Sequence, residues 1–456
     1  MWRDGAVVYC EGFGSKDEAG TPVTPDTVFQ IGSDTKKIAA LALLQQVEAH
    51  AIELDSSVAS VIPDLRLASN PRLFETLEVR DLLRQSSGLF DYSPWAEAAG
   101  DEQLAAIAFG RFAQNEYSLM PPGIAWNYSN PNYSLIGLLS ERLDGRAWPE
   151  LVTDEVFQPL GMRHSYARRD DVLRNETDVA SSYGVILDEP LDTFSPFDGL
   201  PEQRGWVKPE ATVDNAFARP AGLVWSTAED QARLLGFLAD GDEAVLSDEL
   251  REAMSAPQVP VDIPSVAGDY GYGLLTAPGF RGPDGQYRGA RLVEHNGGTL
   301  TMSSYSVLLP EQRVAVSILA NAQGQSLADL AYAVLAAAAA ERLPEPSTPP
   351  PPPPPENLPS YAGAYSDANL GEVTIEWETD HLSIRAPLLD VAGVSYQSTL
   401  QALAHDQFNW VIAGADFPLS FYDAPNGRAH GYGVSELFVL TRTDAPVQIA
   451  EDAAPR

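Results

Sequence analysis

A serine and a lysine stand three positions apart where a polar turn meets an apolar segment, in Ser33-Asp34-Thr35-Lys36. Residues i and i+3 share one face of a helix, so the Lys36 amine can reach the Ser33 hydroxyl. A serine hydroxyl needs a base to act as a nucleophile, and a lysine serves when a buried or cationic setting lowers its pKa. The chain holds only four lysines, yet the motif also fits a helix N-terminus that carries an exposed lysine. Both interpretations stay open on these residues alone.

A second polar stretch, Tyr128-Ser129-Asn130, lies just before an apolar helical pattern. A tyrosinate held near a lysine can act as a general base, and an asparagine two residues further on can bind a substrate carbonyl. The stretch also fits a turn that caps the following helix through Asn130 or Asn132. It is therefore either part of a site or a helix cap.

A third polar stretch, at 294–298, ends a predicted strand with the residues Glu-His-Asn-Gly-Gly. The glycines let a substrate backbone approach the strand edge. A backbone N–H just beyond can supply half of an oxyanion hole. The alternative interpretation is a hairpin in which His295 has no chemical role.

The elements that must position these stretches follow from the spacing of apolar residues. Apolar positions from Ile38 to Val47 recur at helical spacing, which predicts a helix from Ser33 to about Ala51. Ser226 or Thr227 is typical of an N-cap that acidic residues follow. The other predicted elements are strands at 6–9, 271–275, 292–295, 303–307 and 314–318, and helices at 77–83, 133–143 and 327–343. This order predicts an α+β fold, an antiparallel sheet flanked by helices with an added helical lobe.

The C-terminal part of the chain has a different pattern. An unbroken proline run, Pro349–Pro355, indicates a polyproline II spacer within a linker predicted at 344–357. Residues 358–445 contain short alternating strands separated by Gly, Asp and Asn, which predicts a small antiparallel β-barrel or sandwich. Residues 446–456 are predicted to form a disordered tail.

Composition excludes several classes of function. The 456 residues are 44% hydrophobic and 20% charged, which is typical of a globular protein. A formal net charge of −35 disfavours binding to nucleic acid and to anionic membranes. The single cysteine, Cys10, excludes an intrachain disulfide and a zinc site with two or more cysteines, and we expect no cofactor or metal. No apolar run reaches the ~18 residues of a membrane span.

In this order the three stretches resemble the motifs of the serine β-lactamase and penicillin-binding-protein superfamily: S-x-x-K, then Y-x-N, then [K/H]-x-G. Within it the chain is similar to the class C-like branch, which also holds D-aminopeptidases, D-alanyl-D-alanine carboxypeptidases and esterases. Other similar segments, which extend the resemblance over residues 3 to 343, are 29–33, 79–83, 86–89, 122–123, 160–162, 221–223 and 226–230. The stretch 358–365 resembles the start of the lipocalin-like barrel that follows the catalytic domain in some members. The family's leading helix and export signal are not seen, so the N-terminus looks shortened and localisation is left open.

The resemblance implies a role for each residue of the motifs. It makes Ser33 the nucleophile and divides the role of the base between Lys36 and Tyr128. It assigns Asn130 to orienting the substrate and Lys36. His295 occupies the third motif, where class C β-lactamases carry lysine, and this favours peptidase or esterase branches over efficient β-lactam hydrolysis.

Two glycines complete the implied site. Gly297 permits close approach of the substrate, and the backbone N–H groups of Ser33 and Gly298 form the oxyanion hole. We therefore expect a domain over residues 1–343 that acts as a serine hydrolase, through an acyl-enzyme at Ser33, on small amide or ester substrates.

Two alternatives to this function stay open: a non-catalytic ligand-binding or sensor protein on the same fold, and a weak β-lactamase. The filled catalytic positions favour an enzyme. Its expected partner is a small molecule or a short peptide rather than nucleic acid, and a homo-oligomer is possible. The sequence does not choose among D-amino-acid peptides, esters and β-lactams, because pocket loops decide that choice.

Overall fold

The structure of the chain is a computed structural model, which describes residues 1–91, 104–114, 118–186, 203–263, 266–349, 357–367, 370–404, 406–435 and 438–443. The chain divides into two compact units, Met1–Val261 with Gly268–Pro349, and Asp262–Ala267 with Pro350–Arg456. The predicted linker lies partly outside the described residues, and the predicted tail lies wholly outside them. Both stay predictions, as do the domain boundaries inferred from the sequence.

The helices among the described residues range from one turn to four. The α-helices are α1 (Lys36–Glu48), α2 (Leu73–Thr76), α3 (Val79–Leu83), α4 (Leu104–Gln114), α5 (Asn130–Asp144), α6 (Trp148–Val152), α7 (Arg169–Asn175), α8 (Arg219–Gly222), α9 (Ala228–Asp240), α10 (Asp248–Ser255), α11 (Ala328–Ala338) and α12 (Pro387–Ala392). Short 3₁₀ helices cover Gly32–Thr35, Val58–Ser60, Pro209–Ala211 and Leu358–Tyr361, and a π-helical turn covers Thr153–Phe157.

Among the described strands that precede residue 321, several are only two residues long. The described strands before residue 321 are β1 (Trp2–Arg3), β2 (Ala6–Val7), β3 (Phe29–Gln30), β4 (Ser182–Val185), β5 (Arg204–Val207), β6 (Trp225–Ser226), β7 (Val259–Ile263), β8 (Val266–Tyr270), β9 (Leu275–Ala277), β10 (Phe280–Arg281), β11 (Tyr287–Arg288), β12 (Leu292–Gly298), β13 (Ser303–Leu309) and β14 (Val314–Ala320). The later strands are β15 (Gly363–Asp367), β16 (Gly371–Trp377), β17 (Leu382–Arg385), β18 (Thr399–Ala404), β19 (Gln407–Ile412), β20 (Ala415–Tyr422), β21 (Tyr432–Val434) and β22 (Val439–Arg442).

The main sheet has eight strands in the order β2-β1-β14-β13-β12-β9-β8-β7, and helices cover both of its faces. Successive residues of a strand point to opposite faces. On β13, Val307 and Leu309 therefore pack in one buried cluster with Leu335 of α11, whereas Leu308 packs in another with Leu234 of α9. The unbroken apolar run Val307–Leu309 of β13, buried on both faces, thus fits a sheet with a helical layer on each side.

Helix α1 runs through the interior of the first unit. Every residue from Ile38 to Leu44 is at most 1% exposed, and the helix packs against α5 and α8. A helix that is apolar on all sides is stable only when it is buried on all sides. Lys36 and Lys37 at its N-terminus are also fully buried, whereas Ser33 just before them is partly exposed.

The second unit contains a closed barrel of eight strands, β15 to β22. Its strands alternate as the sequence indicated: Val373 and Ile375 of β16 are buried, while Glu372 and Glu376 are exposed. The prediction of a small antiparallel barrel is confirmed.

The predicted α+β class is also confirmed, but two strands differ from the prediction. Of the stretch 271–275, residues 271–274 form a turn between β8 and β9, in which the Gly271 N–H donates to the Leu274 carbonyl at 2.7 Å, and only Leu275 belongs to a strand. The strand expected at 6–9 covers only Ala6–Val7, and it pairs with β1 across a turn at Asp4 and Gly5.

Three helices are shorter than predicted, and the one expected at 77–83 begins only at Val79. The helix expected from Ser33 to Ala51 begins as a 3₁₀ turn and becomes α-helical only at Lys36. Helix α11 ends at Ala338 rather than near residue 343. Thr227 proves to be the N-cap of α9, since its hydroxyl accepts from the Asp230 N–H at 3.2 Å. None of the described helices is long and apolar enough to cross a lipid bilayer.

Candidate active site

Ser33 lies in the 3₁₀ turn that leads directly into α1. Backbone contacts hold this turn on both sides of the serine. The Ile31 N–H donates to the Val224 carbonyl at 2.9 Å, and the Val224 N–H donates to Thr35 Oγ1 at 3.2 Å. Ser33 itself stays partly exposed. An accessible hydroxyl is therefore fixed at the point where the buried helix begins.

The Lys36 amine lies against Ser33 and has three oxygen neighbours. Its Nζ is 3.0 Å from Ser33 Oγ, 2.7 Å from Asn130 Oδ1 and 2.7 Å from the Ala221 carbonyl oxygen. A neutral amine has two N–H groups and one lone pair. Because amide and carbonyl oxygens can only accept, they take the two N–H groups, and the lone pair is left facing Ser33 Oγ.

The surroundings of Lys36 also favour its neutral form. Burial lowers the pKa of Lys36 from 10.5 to about 7, although the charge of the Asp91 carboxylate acts in the opposite direction. A substantial fraction of the amine is therefore unprotonated at neutral pH and able to accept a proton. The interpretation of this motif as a helix start with an exposed lysine is wrong, because Lys36 is 0% exposed.

The Tyr128 hydroxyl reaches the same serine from another direction. It donates to Ser33 Oγ at 2.7 Å, and Lys36 Nζ lies 4.7 Å from the centre of the Tyr128 ring. Burial raises the pKa of Tyr128 well above its usual value near 10. The tyrosine is therefore a phenol at neutral pH, and the geometry makes it a proton donor rather than a resting tyrosinate.

Asn130 is the first residue of α5, and both the oxygen and the nitrogen of its side-chain amide form hydrogen bonds. Its Nδ2 and its backbone N–H donate to Asp91 Oδ1 at 3.1 and 2.7 Å. Since a carboxylate only accepts, this contact turns the amide oxygen towards Lys36. The helix-cap interpretation is wrong: Ser129 occupies the N-cap, and Asn132 lies inside the helix.

Gln85 holds the segment that carries Tyr128. Its side chain is buried, and Oε1 accepts from the Ser129 N–H at 3.0 Å and from Asn132 Nδ2 at 2.6 Å. Its carbonyl accepts from the Asn127 N–H at 2.7 Å. Gln85 has a φ of 60°, a strained conformation for a residue with a side chain, which these contacts maintain. The sequence pattern gave no sign of this role.

His295 is buried within the third motif as a neutral ring. Its Nδ1 is 2.6 Å from the Asn296 carbonyl oxygen, and its Nε2 is 3.0 Å from the Tyr270 hydroxyl. The carbonyl only accepts, so Nδ1 carries the proton and Nε2 accepts from Tyr270. Burial, together with the charges of Lys36 and Lys37, lowers the pKa of His295 to about 3. The third motif consequently offers no cation at neutral pH.

Two glycines bring β12 against the nucleophile turn. Gly32 has a φ of 56°, and a Cβ atom there would clash with the Gly298 nitrogen. A Cβ atom on Gly297 would clash with the Ile31 carbonyl oxygen. Gly298 is exposed and faces open space. Its amide thus lies beside the turn of Ser33, a position that suits the expected oxyanion hole.

Asp34, the anionic neighbour of the nucleophile in sequence, points away from the site. It is fully buried and pairs with the Lys37 ammonium. The Ser306 hydroxyl of β13 donates to Asp34 Oδ2 at 2.5 Å and lies 3.1 Å from Lys37 Nζ. This buried ion pair ties the start of α1 to the main sheet.

All of the residues predicted for the site lie on these connected elements: Ser33, Lys36, Tyr128, Asn130, His295, Gly297 and Gly298. Sequence reasoning missed three side chains that hold them in place, Gln85, Asp91 and Tyr270. Asp91 comes two residues after the stretch 86–89, which resembles the family, and this position could have indicated its role. Tyr270 lies 25 residues from its partner histidine, and no local spacing connects the two.

The comparison with protein families decides what kind of protein carries this geometry. The profile of the family described as Beta-lactamase matches residues 1–339. The chain belongs to this family. The superfamily that the three motifs indicated is therefore confirmed.

Among known proteins, the chain is similar to Penicillin-binding protein 4 of Amycolatopsis lactamdurans. The two are 27% identical over 350 residues, which cover 76% of this chain and 86% of that protein. The chain is also similar to Protein flp of Staphylococcus aureus strain MW2, with 23% identity over 320 residues. That match covers 70% of this chain but only 58% of the staphylococcal protein.

Solved structures extend the likeness to the whole chain. The octameric penicillin-binding protein homologue from Pyrococcus abyssi is 25% identical, with a TM-score of 0.61 over 97% of this chain and 94% of that one. The D-amino acid amidase from Ochrobactrum anthropi SV3, complexed with D-phenylalanine, is 24% identical, with a TM-score of 0.53 over 68% and 82%. A class C β-lactamase is 17% identical, with a TM-score of 0.54 over 70% and 85%. The last two likenesses show the fold alone.

Proposed function

We propose that the chain is a serine hydrolase that forms an acyl-enzyme at Ser33 and cleaves small amide or ester substrates. The observation that carries this proposal is the arrangement around Lys36. Its two N–H groups are taken by Asn130 Oδ1 and the Ala221 carbonyl, which leaves the lone pair 3.0 Å from Ser33 Oγ. This is the position of a base that removes the hydroxyl proton during attack.

In the proposed acylation, Ser33 Oγ forms a bond to the substrate carbonyl carbon while its proton moves to Lys36 Nζ. The electron pair of the carbonyl moves to its oxygen, which the backbone N–H groups of Ser33 and Gly298 stabilise. The tetrahedral intermediate then collapses, and the bond from carbon to the leaving nitrogen or oxygen breaks. Water afterwards attacks the ester at Ser33 by the same route and releases the acid.

Tyr128 supplies the proton that the leaving group needs. Its hydroxyl is protonated and lies 2.7 Å from Ser33 Oγ, next to the bond that breaks. After donating this proton, the tyrosinate regains one from the Lys36 ammonium. Lys36 thus acts as the base and Tyr128 as the acid of one proton relay.

Amides and esters are favoured over β-lactams as substrates. His295 is neutral and bound to Tyr270, so the third motif lacks the lysine charge that its class C counterparts have. A weak β-lactamase stays as the alternative, and nitrocefin hydrolysis measures it directly.

A non-catalytic binding protein on this fold is the other alternative. A binding protein has no need of a buried lysine with a pKa of about 7 whose lone pair faces an exposed serine. The poised base therefore supports the enzyme.

Replacement of Ser33 tests the proposed function. Ser33→Ala should abolish both covalent labelling by a fluorophosphonate and turnover of p-nitrophenyl acetate and D-amino-acid amides. Ser60→Ala, which removes an exposed serine outside the site, is the matched control and should behave as wild type. Full activity in a folded Ser33→Ala protein would overturn the proposal, whatever the substrate.

Assembly into a homo-oligomer is a separate proposal, supported by the octameric homologue from Pyrococcus abyssi. Light scattering after size-exclusion chromatography tests it. A mass near the 49.2 kDa of one chain would contradict it.

A further inference from the structure

A pocket of about 390 Å³ is lined in part by residues that precede the nucleophile turn and follow β12 in the chain. Its walls come from the β4–β5 hairpin, the segment 207–213, the segment 299–301 and Gln30. We call it the hairpin pocket and define it by Val185, Ile186, Trp206, Lys208, Val213 and Leu300.

The hairpin pocket adjoins the end of the site where the oxyanion hole is expected. Gln30 precedes Ser33 by three residues and leads into its turn. Thr299, which also lines the pocket, directly follows Gly298. Because the Gly298 nitrogen lies beside the nucleophile turn, a substrate carbonyl held there has the pocket next to it.

The proton donor Tyr128 belongs to an aromatic group that shares no residue with the lining of the pocket. The Trp126 ring is 6.2 Å from the ring of Tyr128 and 6.3 Å from that of Tyr270, which binds His295. A leaving group has to meet the Tyr128 hydroxyl to receive its proton, so it occupies this aromatic side. The acyl part of the substrate then extends the other way, into the hairpin pocket.

Hydrogen bonds fix the walls of the pocket in place. The Val185 N–H donates to the Leu300 carbonyl at 3.0 Å, which joins the hairpin to the segment after β12. Gln30 Nε2 donates to the Val213 carbonyl at 3.1 Å. The Trp206 ring packs edge-on against Tyr183 across the hairpin, with 5.9 Å between ring centres. Such a preformed cavity can select among acyl groups.

The lining of the pocket combines apolar side chains with one ammonium group. None of its described residues is acidic, although the whole chain carries a formal net charge of −35. Lys208 is exposed and forms no ion pair with any residue that the structure describes. By contrast, Lys16 pairs with Asp178 and Lys37 with Asp34.

We propose that the hairpin pocket binds the acyl part of the substrate and prefers an apolar chain that ends in a negative charge, which Lys208 contacts. The preferred substrates are then esters or amides of a dicarboxylic acid, bound through their free carboxylate. This proposal rests on the proposed function, since it names the acyl group that Ser33 receives.

Three p-nitrophenyl esters of similar length test the preference: the hydrogen adipate, the hexanoate and the 6-aminohexanoate. Attack by Ser33 forms the acyl-enzyme and releases p-nitrophenolate, and water then frees the acid. The expected order of kcat/KM is adipate, hexanoate, 6-aminohexanoate, with about fivefold between adipate and hexanoate, because an exposed ion pair contributes up to ~1 kcal/mol. High salt should reduce this ratio.

The ratio of adipate to hexanoate is compared within each variant, which removes the effect of partial unfolding. Lys208→Gln should bring the ratio close to one, Lys208→Arg should retain it, and Lys16→Gln should leave it at the wild-type value. A wild-type ratio of one or less, or a ratio that survives Lys208→Gln, would overturn the inference.

p-Nitrophenyl acetate, whose acyl group is too short to fill the pocket, separates this inference from the function on which it rests. Acetate turnover without preference among the longer esters contradicts the inference alone. No turnover of any ester and no labelling of Ser33 contradicts both.

Discussion

Lys36 and Lys37 are neighbours in the sequence and equally buried, at 0% exposure, yet they have different surroundings. Lys36 contacts only uncharged oxygens, whereas Lys37 pairs with the Asp34 carboxylate and contacts Ser306. Burial lowers the pKa of both lysines, and the ion pair with Asp34 opposes that change at Lys37.

The difference shows how a helix start separates two tasks. Consecutive residues of an α-helix point about 100° apart, since a turn takes 3.6 residues. One lysine therefore faces Ser33, and the next faces β13. A buried amine among neutral acceptors can lose its proton and work as a base, whereas a buried amine beside a carboxylate stays charged and holds the structure.

The largest expected effect follows from removal of the base. Lys36→Met should reduce kcat for p-nitrophenyl acetate by roughly 10²–10⁴, the scale of a lost general base. The fold should persist, because the change removes neutral hydrogen bonds and strands no charge. Circular dichroism and steady-state kinetics on the same sample check both expectations. A folded Lys36→Met protein with more than a tenth of the wild-type kcat would remove Lys36 from the proton relay.

The matched change one residue later should act on stability instead. Lys37→Met leaves the Asp34 carboxylate buried without its cation, which should lower the free energy of unfolding by about 3–5 kcal/mol. Urea denaturation measures it. The double variant Asp34→Leu/Lys37→Met strands no charge and should regain much of the loss. If Lys37→Met costs no more stability than Lys36→Met, the distinction between the two lysines is wrong.

A smaller effect concerns the pH dependence of stability. The pKa of Lys36 is about 7 in the folded chain against 10.5 when exposed, so between these values the unfolded chain binds the extra proton. Stability contributed by Lys36 therefore rises with pH in that window, by up to ~1.4 kcal/mol per pH unit. The difference in unfolding free energy between wild type and Lys36→Met should be flat below pH 7 and should grow in favour of wild type above it. A constant difference up to pH 9.5 would contradict the lowered pKa.

The parts of the site that could be predicted from the sequence are those fixed by local spacing. Three residues separate Ser33 from Lys36 along one helix face, and that spacing alone brings the amine to the hydroxyl. The order of the three motifs then indicated the family. The apolar pattern from Ile38 to Val47 likewise predicted a helix, and a strand was predicted at 303–307, within β13.

The parts that could not be predicted depend on contacts between distant segments. Asp91 acts on Lys36 through Asn130, and Tyr270 fixes the protonation of His295. Neither contact has a local spacing. The stretch 271–275 was predicted as a strand, but a tight turn at 271–274 lets β8 and β9 pair with each other. The motif indicated that Lys36 is the lysine that faces Ser33. It gave no indication that Lys37 forms a buried ion pair with Asp34.

The most direct test of the account is the pH dependence of the acylation of Ser33, measured as the pre-steady-state burst of p-nitrophenol from p-nitrophenyl acetate. We expect an acidic limb with a midpoint near pH 7, the pKa of Lys36, because only the neutral amine accepts the serine proton. His295, with a pKa of about 3, does not titrate in this range. Asp91→Asn should move the midpoint to lower pH, since the Asp91 charge raises the pKa of Lys36. A burst rate that stays constant from pH 8 down to pH 5 in the wild type would contradict Lys36 as the base.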